Sequence, residues 1–304
     1  MYIDQTGARW FKGNLHTHTT NSDGRISPED CAALYRSAGY DFLSLTDHWK
    51  ISETRTHESG LLLLSGTEYD FGRNVREGIY HIVAVGYRGD PGIVRGEDSP
   101  ETCVDKIHAA GGLAGLAHPA WSMNTVDQLL PLCPHGVDYT EIFNSTSDLP
   151  HNCRPYSGET VDLLAARGIF WKTAAADDAH WYDGDECRSF IWVRAEDCTE
   201  DAILSAMRRG DFYASQGPRL SVSFDRDAGI VSADCPEEDG VKRLVYYTDA
   251  AWCGHRSDTA APGSCLTHGA FTLTGRETFV RVEAKDKDGR TAWGQTIHVG
   301  ERKE

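Results

Sequence analysis

Short apolar runs alternate with helical segments through roughly residue 215. Leucine-rich runs such as DFLSLTD and LLLLSG, each bounded by polar residues, predict β-strands. Ser27 and Ser99 are each followed by a proline and an acidic residue, the order of a helix cap and a first turn, and Gly39 and Gly111 end these two segments. The alternation predicts repeated β-α units and a largely parallel sheet or barrel.

After residue 218 the pattern changes to an alternation of apolar and polar residues. The segment RLSVSF (219–224) has this period of two, and two apolar runs flank Asp288 and Gly289, as in a hairpin. The change predicts two domains, an α/β domain over 1–218 and a small antiparallel β domain over 219–304.

Nearly every apolar run of the first domain has a histidine or an acidic residue at or near its C-terminal end, which is where sites are assembled in parallel α/β proteins. Any one of these residues alone is better explained as an ordinary polar residue. Their recurrence instead indicates a metal site, and the candidate ligands are His16, His18, Asp23, His48, Glu68, His81, His118, Asp178 and His180.

The donor types restrict the metal. Imidazoles and carboxylates without a thiolate suit zinc, manganese or iron. A catalytic zinc uses about three protein ligands and keeps an open position, so this many ligands imply two or three divalent ions. Glu68 is the expected bridge, because the two oxygens of a carboxylate can bind two cations.

Composition narrows the class of partner. The net charge is −16, and no cluster of Lys and Arg stands out, which disfavours polymeric nucleic acid as a ligand. The nine cysteines include no CxxC pair, which fits reduced thiols in a cytoplasmic protein. Neither a signal peptide nor a membrane-spanning run is expected. A homo-oligomer is compatible with the sequence.

The motifs HTH, SDG, LTDH, GTE, a single His, AHP and DAH, in this order, resemble the PHP (polymerase and histidinol phosphatase) superfamily of metal-dependent phosphoesterases over roughly residues 10–218. The resemblance implies a distorted (β/α)7 barrel with a two- or three-metal centre at the C-terminal ends of its strands. The tail, with FYASQGP and GRTAWGQTIHV, is similar to a subgroup of carbaryl-hydrolase-like metallohydrolases.

The resemblance also divides the candidate ligands among three ions. The three sets are His16, His18, Glu68 and Asp178; Asp23, His48 and His180; and Glu68, His81 and His118. One departure is Asp177, a second acidic residue in front of the DAH motif, where relatives often carry a small residue.

Clustered cations favour hydrolysis of a phosphomonoester by a metal-bound hydroxide, because they activate water and neutralise charge on a phosphoryl group. Arg25, beside Asp23, is the first candidate for binding the phosphate, and Asp47 is a candidate proton shuttle or partner of His48. Trp181 either lines a substrate pocket or packs at the rim.

The leading hypothesis is a phosphoesterase acting on a small phosphorylated metabolite or nucleotide. One alternative is a carboxylic or carbamate ester hydrolase that uses the same metal centre, as the similarity of the tail suggests. A second alternative is a non-catalytic module stabilised by metal.

Overall fold

The computed structural model describes residues 1–300. The strands up to residue 194 are β1 Tyr2–Ile3, β2 Arg9–Asn14, β3 Phe42–Ser44, β4 Arg55–Thr56, β5 Leu62–Leu64, β6 Gly66–Phe71, β7 Tyr80–Val85, β8 Leu113–Leu116, β9 Tyr139–Asn144, β10 Lys172–Ala176 and β11 Phe190–Arg194. The later strands are β12 Phe212–Ser215, β13 Ser221–Asp225, β14 Ile230–Asp234, β15 Val241–Tyr247, β16 Ser257–Thr259, β17 His268–Thr272, β18 Phe279–Asp286, β19 Thr291–Trp293 and β20 Ile297–His298.

The α-helices are α1 Pro28–Ser37, α2 Pro100–Ala109, α3 Pro119–Ser122, α4 Val126–Leu129, α5 Gly158–Ala165 and α6 Glu200–Arg209, and 3₁₀ turns span Leu130–His135, Thr146–Asp148 and Glu237–Asp239. The two predicted helix starts are confirmed. The Ser27 side chain accepts a hydrogen bond from the Asp30 amide, and Ser99 forms a reciprocal capping box with Thr102. None of the helices in the described residues is long and apolar enough to cross a membrane.

The chain divides into two compact units. The first unit comprises Met1–Thr160 and Ala174–Phe212, and the second comprises Val161–Thr173 and residues 213–300. The predicted domains over 1–218 and 219–304 stay a prediction.

The first unit is mixed α/β. One of its sheets has the strand order β11-β2-β3-β5-β4, with β2, β3 and β5 parallel, and the other has the order β10-β9-β8-β7-β6. Buried residues from both sheets, including Phe11, Phe42, Val83 and Leu113, form one apolar core that includes residues of α6. The sheets are therefore held against each other by burial of their apolar faces.

The closed (β/α)7 barrel that the resemblance implies is not seen in the described residues. Isolated bridges, Thr17 to Ala179 and His48 to Glu68, occur where a closed barrel would have continuous ladders. Strands β6, β7 and β8 pair antiparallel, and no helix lies between β6 and β7. An antiparallel pair needs no crossover helix, so the expected β-α alternation fails at this point.

The second unit contains antiparallel β-structure. Its strands run in the orders β16-β15-β18-β19-β12 and β13-β14-β17, and β18 and β19 form the hairpin expected around Asp288 and Gly289. Gly289 has a φ of +84°, in the left-handed region that glycine adopts without strain.

A buried cation lies in the second unit. The Arg281 side chain is fully buried and donates to both oxygens of Asp162, at 2.8 and 3.0 Å, and to Glu283 at 2.6 Å. Glu283 is fully buried as well. A buried ion needs such partners because removal from water is costly.

Candidate metal centre

The structure brings all nine predicted ligands together in the first unit. They form three overlapping groups, within each of which the potential ligand atoms lie within 4.8 Å of one another: His16, His18, Glu68 and Asp178; His18, Asp23, His48 and His180; and Glu68, His81 and His118. The grouping agrees with the expected partition except that His18 belongs to two groups. Such a cluster suggests divalent metal binding, and the assignment of each residue as a ligand stays a prediction.

The ends of the strands produce this convergence. His16 and His18 follow β2, His48 follows β3, His118 follows β8, and Asp178 follows β10. Hydrogen bonds from the His18 amide to the Ala179 carbonyl and from the Asp178 amide to the His16 carbonyl hold the ends of β2 and β10 together. Two segments far apart in the sequence therefore present their side chains to one point.

The most buried group has the spacing of metal ligands. His16 Nε2 lies 3.2 Å from Glu68 Oε2 and 3.1 Å from Asp178 Oδ1, and His18 Nε2 lies 3.1 Å from each of the same two oxygens. Four ligands arranged tetrahedrally about a zinc, at about 2.0–2.1 Å from it, are separated from one another by about 3.3 Å. The donor atoms thus fit one small cation.

Two buried polar atoms in the cluster also fit the binding of a cation. Asp178 Oδ1 and His48 Nδ1 have no hydrogen-bond partner among the described residues. An unpaired buried carboxylate oxygen is costly, and a bound cation would remove that cost. The donor set therefore fits the divalent ions that the sequence predicts.

Glu68 lies between two of the groups. Its Oε2 atom faces His16, His18 and His48, whereas its Oε1 atom lies 2.8 Å from His81 Nδ1 and 3.5 Å from His118 Nε2. Oε2 thus lies with the group of His16, His18 and Asp178, and Oε1 lies with the group of His81 and His118. This is the arrangement expected of a bridging carboxylate.

The electrostatic environment keeps the carboxylates ionised. Burial alone would raise the pKa of Glu68, but the neighbouring His16 and His81 outweigh burial and hold that pKa well below its usual range. The same balance, with His16 and His180 as the main partners, lowers the pKa of Asp178. Burial would lower the pKa of His180, but Asp178 and Asp23 raise it to about 9.

Two candidate ligands and a residue that follows a third have a strained backbone. Trp49, His118 and Asp178 have φ values of 56°, 28° and 54°, which non-glycine residues rarely adopt. Each such residue costs about 1–3 kcal/mol and persists only where the surrounding structure holds it. The surrounding structure therefore holds these three residues in conformations that they would not adopt on their own, as is common at functional sites.

Glu141, in the middle of β9, is a site residue that the sequence analysis missed. It is buried, its Oε1 atom accepts a hydrogen bond from His16 Nδ1 at 2.6 Å, and its Oε2 atom accepts from the His118 amide and the Asn144 side chain. Because Nδ1 of His16 donates, the lone pair of Nε2 points at the metal-binding group. The available signal was a carboxylate inside the apolar strand YTEIFN, which requires a buried partner.

Asp47, predicted to be a proton shuttle or a partner of His48, is buried and is not a member of the three groups. Its Oδ1 atom accepts from the Thr19 amide, the Ser22 amide and the Ser22 hydroxyl, and its Oδ2 atom accepts from the Thr19 hydroxyl. These bonds fix the turn that joins His18 to Asp23. The contacts favour a positioning role, and the predicted catalytic role stays a prediction.

Asp177 is not part of the metal-binding groups either. It accepts hydrogen bonds from the Asn14, Tyr35 and Ser145 side chains, and from the backbone amides of residues 188 and 189. Burial raises its pKa to about 6. Asp177 therefore ties β10 to neighbouring segments and does not compete as a ligand.

Arg25 lies at the edge of the site. Its guanidinium carbon is 4.7 Å from the centre of the Trp181 ring, and its amide donates to the His180 carbonyl at 2.9 Å. Trp181 is partly exposed. Arg25 is thus stacked on an aromatic ring beside one ligand group, and its contact with substrate stays a prediction.

No family model matches the chain. No curated protein matches it either. Among solved structures, a two-domain protein from Bacteroides vulgatus ATCC 8482, described as containing a predicted PHP-like metal-dependent phosphoesterase, aligns over 98% of this chain and 98% of its own, with a TM-score of 0.55 and 16% identity. The predicted resemblance is confirmed at the level of the fold.

Two further structures match part of the chain. A proposed metal-dependent phosphoesterase from Bifidobacterium adolescentis ATCC 15703 covers 55% of this chain and 87% of its own, with a TM-score of 0.40 and 16% identity. An amidohydrolase from Chromobacterium violaceum, with bound sulfate and no metal, covers 57% of this chain and 89% of its own, with a TM-score of 0.44 and 16% identity.

Proposed function

We propose that this protein is a metal-dependent hydrolase of the PHP type that releases phosphate from a small phosphorylated metabolite or nucleotide. The observation that carries the proposal is the convergence of His16, His18, Glu68 and Asp178 at spacings of 3.1–3.2 Å. The fold shared with the Bacteroides vulgatus protein supports it.

The three groups would each hold one ion, with Glu68 shared between the first and the third. The donor set, which has no thiolate, suits Zn²⁺, Mn²⁺ or Fe²⁺. When bound, such ions lower the pKa of water and neutralise the charge that develops on a transferring phosphoryl group.

The chain's own residues orient the donors. Glu141 holds the tautomer of His16, and Asp47 holds the turn between His18 and Asp23. Asn144, which donates to Asp178 Oδ2 at 3.2 Å, leaves the other oxygen of Asp178 facing His16 and His18. The orienting hydrogen bonds reduce the reorganisation required when a metal and a substrate bind.

The experiment is a substrate panel. Protein loaded with Mn²⁺, Zn²⁺ or Fe²⁺ is incubated with phosphomonoesters, carboxylic esters and carbamates, and inorganic phosphate and alcohol are measured. We expect phosphate release that Glu68→Gln abolishes and that Glu58→Gln, a change at an exposed carboxylate, leaves intact. Ester or carbamate turnover without phosphate release from any compound would show that the reaction class is wrong.

A further inference from the structure

A cavity opens beside the metal-binding groups in the first unit. Its volume is about 490 Å³, within the range of small-molecule sites, and it is lined by His48, Trp49, Lys50, Asp70, His81 and Arg95. His48 and His81 are candidate ligands, so the cavity adjoins two of the three metal-binding groups.

Arg95 is fixed in one wall of the cavity. Its guanidinium donates to both oxygens of Asp70, at 2.9 Å each, and lies 4.9 Å from the centre of the Trp49 ring. The Trp49 indole nitrogen also donates to Asp70. The guanidinium is therefore held by an ion pair and a cation–π contact, yet about two thirds of the Arg95 side chain, 66%, stays exposed.

Asp70 separates this guanidinium from the candidate ligands. It lies opposite His81 in the β6–β7 pairing, and its Oδ1 atom is 3.9 Å from His48 Nδ1. A phosphoryl group at the metal centre is thus divided from Arg95 by a negative charge.

Lys50 supplies a surplus positive charge. Its backbone is anchored, since its amide donates to the Asp47 carbonyl and its carbonyl accepts from the Thr67 hydroxyl. Its exposed ammonium makes no hydrogen bond or ion pair within residues 1–300. The negative charge of Asp70 balances the positive charge of Arg95. With His48 and His81 neutral, Lys50 therefore gives the residues that line the cavity a net charge of about +1. The net charge of the whole chain is −16.

We propose that Lys50 and Arg95 form a subsite for a second anionic group of the substrate, a carboxylate or a further phosphate distant from the bond that is cleaved. The proposal rests on the proposed function and narrows its substrate class to dianionic phosphomonoesters of this kind. Arg95, with its fixed planar guanidinium, provides directional hydrogen bonds, and Lys50 provides the uncompensated charge.

The test uses two isosteric phosphonates, 4-carboxybenzylphosphonate and 4-carbamoylbenzylphosphonate, which differ only in the charge of the distal group. Their dissociation constants for the metal-loaded full chain are measured by calorimetry. We expect the carboxylate compound to bind at least about fivefold more tightly, as is typical of one charge-assisted contact, and this preference to weaken as salt is added.

Lys50→Met and Arg95→Lys should each lower the preference for the carboxylate compound, Lys50→Met more strongly because Lys50 carries the uncompensated charge, and Lys50→Arg should restore the preference. Lys287→Met, a change at an exposed lysine outside the cavity, should leave the ratio as in the wild type. A preference that survives in Lys50→Met and in Arg95→Lys would overturn the assignment to these residues.

The remaining outcomes separate the two proposals. Equal affinity of the wild type for both phosphonates would overturn the subsite and leave the phosphoesterase intact. Failure of both phosphonates to bind would overturn the phosphoesterase together with the subsite that rests on it.

Discussion

His16 and Glu141 form a buried pair in which the imidazole Nδ1 lies 2.6 Å from the carboxylate Oε1. The other nitrogen of the same imidazole lies 3.1 Å from Asp178 Oδ1. A carboxylate in the middle of β9 thus sets the direction of a candidate ligand that follows β2. The position of β9 next to the end of β2 therefore determines which nitrogen of His16 is free to bind a metal.

The pair predicts an effect on metal affinity. Glu141→Gln removes the charge that fixes the His16 tautomer, so we expect metal binding to weaken by about 10–100-fold. Competition with a fluorescent chelator measures the affinity. Glu58→Gln serves as the control, and unchanged affinity in Glu141→Gln would show that the charge of Glu141 is not needed to orient His16 for metal binding.

Asp47→Asn distinguishes positioning from proton transfer. We expect a loss of stability of about 1–3 kcal/mol, because the Thr19 and Ser22 amides lose a charged acceptor, together with weaker binding of the metal at the Asp23 group. The rate at saturating metal should stay close to that of the wild type. A large fall in that rate with full metal content would instead support the predicted shuttle.

The pair of His108, in α2, and Asp138 gives a pH-dependent contribution to stability. The hydrogen bond from His108 Nε2 to Asp138, 2.9 Å long, raises the pKa of His108 above its ordinary value of 6.5. A pKa raised in the folded state adds stability that is fully present below the unfolded pKa and is lost as the pH rises through the folded pKa. We expect His108→Gln to destabilise the protein by up to about 1 kcal/mol at pH 5.5, because the pair is partly exposed, and by much less at pH 9.

Urea unfolding of the metal-stripped protein at both pH values measures this difference. The contributions of other titrating groups to the free energy of unfolding cancel when the variant is compared with the wild type at the same pH. A larger cost at pH 9 than at pH 5.5 would contradict the assignment.

In the second unit, Arg281→Met should be strongly destabilising. It leaves the buried Glu283 and the partly buried Asp162 without their common cation, which typically costs about 3–5 kcal/mol. Lys285→Met is a matched control, because Lys285 also contacts Glu283 but its side chain is 40% exposed, so about 1 kcal/mol or less is expected. Hydrogen exchange of the β18 amides measures the loss of stability in both variants. An equal loss in Arg281→Met and Lys285→Met would contradict the assignment of Arg281 as the main partner of Glu283.

The sequence predicted the site best where a histidine or an acidic residue follows an apolar strand. His48, His118 and Asp178 each follow an apolar strand, so their type and place indicated a common site. Glu141 escaped because its partner is distant in the sequence and it lies inside a strand instead of after one. The direction of β7 was not predictable either, since an apolar run such as IVAV looks the same whether its neighbours are parallel or antiparallel.

The most direct test of the central claim is phosphate release as a function of metal bound per chain. Metal-stripped protein is titrated with Mn²⁺ or Zn²⁺, bound metal is counted by elemental analysis, and hydrolysis of a phosphomonoester is followed in parallel. We expect negligible phosphate release without metal and a rise in release that saturates when two or three ions are bound per chain. In Glu68→Gln we expect both the number of bound ions and the phosphate release to stay below the wild-type values. Full phosphate release from the metal-stripped protein, or full metal content without release from any phosphomonoester, would contradict the account.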